Sequence, residues 1–103
     1  MKIENKDIER METAKIIIAK METNKVYSSH MIQNMFKLNT EEEEFKMPFI
    51  NGERRSTNAI TAILKTAEKY GLIKNIGYIT EKRPNFSEFH KTKPYAALGF
   101  VKI

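Results

Sequence analysis

A chain of 103 residues and 12.0 kDa has room for one ordinary domain. Its hydrophobic share of 41% and charged share of 30% fit a soluble globular protein, and the lack of cysteine excludes a disulfide scaffold, a thiolate metal site and a cysteine nucleophile. The net charge of +5 is uneven: residues 1–53 carry 8 Lys/Arg against 10 Asp/Glu, whereas residues 54–103 carry 10 against 3.

The two halves therefore stand at −2 and +7. Segregated positive charge concentrates polyanions, nucleic acid foremost, although a merely solubilising surface would have the same composition. No apolar run nears the ~18 residues of a membrane span; the longest is Ile16-Ile17-Ile18-Ala19. The first seven residues are charged and unlike a signal peptide, so a cytoplasmic, nucleoid-associated location is expected.

The first periodic segment predicts a helix from Asp7 to Glu22, with Ile8, Met11, Ala14, Ile17, Ile18 and Met21 on one broad face. Ile16 falls opposite, either as a lone exposed apolar residue or as part of a partner contact. Val26-Tyr27 reads as a short extended piece. Ser28-Ser29 supplies an N-cap to a second helix, His30 to Leu38, that buries Met31, Ile32, Met35 and Phe36. A connection from Asn39 to Arg55 follows. Within it, Thr40 and Glu43 have capping-box spacing at the start of a helical turn, and Met47 to Gly52 is rich in turn residues.

Ser56 or Thr57 caps a third helix over 57–70, in which Ile60, Ile63, Leu64, Ala67 and Tyr70 repeat at helical spacing. Gly71 stands where a left-handed terminal residue is wanted. Lys74 to Ile79 alternates like a strand, residues 80–94 read as a long basic loop, and Tyr95 to Ile103 reads as a last strand.

The expected fold is therefore mainly α with a small β-hairpin, an α+β domain spanning residues 1–103. Three helices followed by a hairpin resemble the winged helix-turn-helix superfamily. The stretch Ser56 to Ile73 is similar to that superfamily's recognition helix and the Gly71-Leu72-Ile73 step into its wing. The link 39–55 and the wing loop 80–94 are both long for that pattern. The resemblance implies a third helix seated in the DNA major groove, with the basic loop on the backbone or in the minor groove.

The chemistry on the outer side of the third helix suits that role. Asn58 can form two hydrogen bonds with adenine, and Thr61 or Ala62 can touch a thymine methyl. Lys65 and Lys69, with Arg54 and Arg55 ahead of the helix, can meet guanine or phosphate. Ser56 and Thr57 bring the first-turn amides, which favour a phosphate. A solvated helix face would carry a similar set. In the loop, Lys82, Arg83, Asn85, Lys91 and Lys93 are the expected DNA contacts, with His90 among them, and Pro84 stiffens the chain behind Arg83. Phe86 and Phe89 either pack back on the domain or stack on bases. Tyr78 and Tyr95 are expected to face each other across the hairpin.

Glu41 to Glu44 fit a solvated first turn, since four consecutive side chains on a regular helix cannot converge on one ion. His30 reads as a polar first-turn residue, and Met11, Met21, Met31 and Met35 fill core stripes. No catalytic motif, cofactor site or metal site stands out, and no enzyme activity is expected. The leading expectation is a small DNA-binding regulator or DNA-organising factor acting on double-stranded DNA. It would work as a homodimer, joined through the first helix or the last strand. A protein-interaction module using the glutamate run with Phe45, Phe49, Phe86 and Phe89 stands second. RNA binding stands third.

Overall fold

The computed structural model describes residues 2–44, 46–85 and 91–103. A 3₁₀ turn, Asn5–Asp7, leads into α1 (Ile8–Lys20), β1 (Val26–Tyr27), α2 (Ser29–Phe36) and the single turn α3 (Glu41–Glu44). Then come the two-residue strands β2 (Phe49–Ile50) and β3 (Glu53–Arg54), α4 (Thr57–Lys69), β4 (Ile73–Asn85) and β5 (Lys91–Lys102). The architecture is α+β, three longer helices with a small antiparallel sheet in the order β1-β5-β4.

Local chemistry fixes the ends of the helices. Ser28 caps α2 by accepting from the Met31 amide at 3.2 Å, and Ser56 caps α4 by accepting from Ala59 at 3.1 Å. At the far end of α4, Gly71 takes φ +77°, with Gly71 N–H donating to Glu68 and Leu72 N–H to Ala67. This pair of bonds is a Schellman motif, and it turns the chain straight into β4. α1 ends sooner than its periodicity predicts, because Met21 is already extended at ψ 138°. Ile8 is an exposed residue of the first turn rather than part of the core face. Likewise α2 stops at Phe36, and Leu38 lies outside it and is exposed.

The core lies between α1, α2, α4 and the base of the sheet. Ala14, Ile17, Ile32, Ile60, Leu64, Ala67 and Phe100 are all fully buried there, joined by Ile50 from β2. Met11 and Met21 are buried, while Met31 and Met35 are partly buried against the same cluster. Ile16 stays exposed, on the side of α1 that its position on the helix wheel indicates. Gly99 allows close approach of the strands: a Cβ there would stand 2.9 Å from Val26 Cγ1 and 3.0 Å from Ile79 Cγ2.

Two parts of the chain differ from the expectation. The link 39–55 contains a small hairpin, turned by Asn51 (φ 53°) and Gly52 (φ 79°) in the left-handed conformations of a type I′ turn. The Asn51 amide donates to Thr13 of α1 at 3.1 Å, which ties this hairpin to the first helix. Residues 80–85 and 91–94 are strand rather than loop, paired from Thr80↔Ala96 out to Asn85↔Lys91. A ribbon of two strands has open edges on both sides, so prolines 84 and 94 can be accommodated without breaking a wider ladder. The register pairs Tyr78 with Leu98 and Tyr95 with Glu81, so the two tyrosines do not face each other.

Replacing Leu64 by Ala should lower the unfolding free energy by about 2–5 kcal/mol, through lost transfer energy and an unfilled cavity. Ile16→Ala on the exposed side should change it by less than about 0.5 kcal/mol. Urea denaturation of the two variants measures the contrast, and similar losses from both would contradict the packing of α4 and α1.

Candidate nucleic-acid interface

With Ile60, Ile63, Leu64 and Ala67 turned into the core, α4 keeps an outward ridge. Asn58, Lys65, Glu68 and Lys69 are exposed along it, with Thr57, Thr61 and Ala62 half-buried at its sides. A cleft flanks the ridge on each side. Toward the sheet lies a cleft of about 240 Å³, lined by Ser29, Thr57, Asn58, Thr61, Tyr78 and residues 96–98. Toward α1 lies a wider groove of about 610 Å³, whose charged lining is Lys6, Asp7, Glu9, Arg10, Lys65 and Lys69.

The predicted contact residues separate into distinct groups. Asn58, Thr61, Ala62 and Lys65 lie on or beside the ridge, and Asn58 and Lys65 point to solvent with no ion pair among the described residues. Thr61 is partly committed: its hydroxyl donates to the Thr57 carbonyl at 2.9 Å and meets the Ser29 hydroxyl at 2.5 Å. Ser56 serves as the helix cap, and Thr57 opens the first turn beside it. Arg54 lies with its guanidinium 4.0 Å from the Phe49 ring centroid, donating to the Met47 carbonyl at 2.6 Å.

Arg55 is a correction to the expected contact set, because only 6% of it is exposed. Its Nε donates to the Ile50 carbonyl at 3.0 Å and its Nη2 to Glu9 Oε1 at 2.8 Å. The guanidinium is a strut between α1, the small hairpin and the start of α4. Lys69 is exposed but engaged, 2.9 Å from Asp7 and 3.2 Å from Glu4. Tyr70, expected in the core, is half-buried and donates from its hydroxyl to Asp7 at 2.7 Å.

Charge follows these contacts. The Tyr70 hydroxyl and then the Lys69 ammonium hold the buried Asp7 carboxyl below its ordinary pKa. Bonds to Asp7 and then Glu4 raise the Lys69 pKa, and the Arg55 guanidinium lowers that of Glu9.

The hairpin brings together the second group of expected contacts. Lys82, Arg83, Asn85, Lys91 and Lys93 belong to β4 and β5. The backbone register sets Lys82 opposite Pro94, Arg83 opposite Lys93 and Asn85 opposite Lys91. Four cationic residues thus fall within four successive rungs of the backbone ladder. Phe45, Phe86, Phe89 and His90 lie outside the described residues. His30 is in the first turn of α2, with its Nε2 3.4 Å from the Asn34 amide. In the sheet-side cleft, Tyr78 is 77% exposed.

Lys6 and Arg10 line the α1 groove although nothing in the sequence motifs assigns them a role. Their separation of four residues across the start of α1 is the available signal, because it sets both on one side of a helix.

Two tests follow from this network. Arg55→Ala should cost about 1–3 kcal/mol of stability, since it strips the buried Ile50 carbonyl of its donor and leaves a void. Because Asp7 and Glu9 have lowered folded-state pKa values, their stabilisation is complete above the ordinary carboxylate range and is lost as pH falls through and below it. Denaturant titrations from pH 7 down to pH 3 should show this decline, and Asp7→Asn should flatten it; an unchanged slope in that variant would contradict the Asp7 contacts.

No protein-family model matches the chain, and comparison with curated proteins and solved structures likewise returns no match.

Proposed function

We propose that this chain is a sequence-reading DNA-binding protein of winged-helix type, a small transcriptional regulator or DNA-organising factor. In this reading α4 enters the major groove, and the β4–β5 hairpin lies along the backbone or in the minor groove. The observation that carries it is the outward ridge of α4, where Asn58 and Lys65 are exposed between two clefts with Thr61 and Ala62 half-buried beside them. An α-helix fits the major groove, and amide, hydroxyl, methyl and ammonium groups are the ones that discriminate base edges there. The four cationic residues on the outer rungs of the ribbon add support, because sequence-independent affinity comes from phosphate neutralisation.

On this reading the protein is a binding module rather than a catalyst and works near nucleic acid. Two copies read adjacent half-sites, joined through α1 or the last strand. Part of the expected charge does not reach DNA, since Arg55 is internal and Lys69 is tied to two carboxylates. The remaining base-reading set is correspondingly small, namely Asn58, Thr61, Ala62 and Lys65.

A protein-interaction role is the second reading. It is favoured by one observation, the exposure of Phe49 together with Met47 and Leu38. Exposed apolar side chains outside the ridge fit a protein partner better than a phosphate backbone.

Selection from random duplexes, followed by salt titration of the recovered sequence, tests the proposal. The logarithm of affinity should fall with log salt by about 0.9 for each phosphate neutralised. The triple change Asn58→Ala, Thr61→Ala and Lys65→Ala should abolish sequence preference. Arg83→Ala should weaken all duplexes nearly alike. Selection that recovers no common sequence, or preference that survives the triple change, would overturn the reading.

A further inference from the structure

The groove between α1 and α4 has an unusual electrical balance. Its charged lining combines Lys6, Arg10, Lys65 and Lys69 with Asp7 and Glu9. Both carboxylates are already engaged. Asp7 accepts from Lys69 and from the Tyr70 hydroxyl, while Glu9 accepts from Arg55 at 2.8 Å and from Thr13 at 3.2 Å. Arg10 and Lys65 have no ion pair among the described residues, and Lys6 has only a 3.4 Å contact with an exposed carboxylate of Glu4. The rest of the lining, Ala62 and Thr66, is uncharged, and the Thr66 hydroxyl donates back to the Ala62 carbonyl. Three cations thus border one open groove whose acids are turned to other partners.

We propose that this groove is a phosphate site, in which Lys6, Arg10 and Lys65 hold one backbone phosphodiester of bound DNA. The inference rests on the DNA-binding reading and adds α1 to the interface. An arginine fork matches two phosphate oxygens, and two ammonium groups supply charge without demanding a particular geometry. Lys65 belongs to both the groove and the ridge, so a strand running past α4 meets the groove as it leaves the reading face. The contacts of Lys6 and Arg10 position the helix and carry no sequence information, and Lys65 alone is shared with the reading face. Asp7 and Glu9 also line the groove, and their charge is offset there by Lys69 and Arg55.

The double variant Lys6→Gln with Arg10→Gln tests the proposal, because both side chains are exposed and lie outside the proposed base-reading set. Its affinity for duplex should fall about ten-fold at fixed salt, equally for selected and random sequences. The slope of log affinity against log salt should shrink by about 0.9. A urea midpoint equal to the parent's shows that the loss is not one of folding. Unchanged affinity and slope, alongside a parent that still needs Asn58 and Thr61 for preference, would overturn the groove and leave the DNA-binding reading intact. A change in sequence preference would overturn the purely positioning role. If the parent binds no duplex, the broader reading fails, and titration with inorganic pyrophosphate by NMR judges the groove alone. Amide shifts confined to residues 6–10 and 65, absent in the double variant, support a phosphate site with a source other than duplex. Their absence overturns it.

Discussion

Everything outward about this protein depends on which side of α4 is held inward. Ile60, Ile63, Leu64 and Ala67 are gripped between α1, α2 and β4, and each buried branched side chain is worth about 1.5–3 kcal/mol relative to exposure. That burial fixes the rotation of the helix about its own axis. Asn58 and Lys65 face solvent as a geometric result, since they lie across the helix from the gripped set. The serine cap at one end and the left-handed glycine at the other then fix its length and the direction of the chain beyond it.

The second constraint is electrostatic. Arg55 joins three elements from inside, and Asp7 joins the 3₁₀ turn to the end of α4 through Lys69 and Tyr70. These contacts draw cations away from the surface that the sequence alone assigns to an anion. They also neutralise the two acids that would otherwise repel one from the α1 groove. Formal charge is therefore a poor guide to where positive potential emerges, and the pattern of pairing decides it.

The three main helices and the short β1 strand were legible because each has a sharp local signal: serine caps, helical spacing of apolar residues, and Gly71. The small hairpin carried a signal too, Asn51-Gly52 after Phe49-Ile50, which the proline and charges around it obscured. The long ribbon was not legible as strand, because no apolar alternation marks its outer half. Polar residues with two prolines look like a loop when only one chain segment is considered. Among the site residues, Asn58 and Lys65 were legible from the helix wheel. The burial of Arg55 was not, since its partners Glu9 and Ile50 are distant or carry no sequence mark of the contact.

The ribbon has a further consequence. Among the described residues, a third strand joins β5 only at Val26 and Tyr27, opposite Val101 and Phe100, so beyond that level the ladder is supported by a single neighbour. Cooperativity in a sheet comes from lateral neighbours and from a packed face. Backbone amides should accordingly exchange with solvent deuterium in a gradient, slowest beside Phe100 and faster with each rung toward Asn85. The outer rungs can then separate and re-form without disturbing the helices, while Val26 and Tyr27 keep the base of the sheet in register with the core.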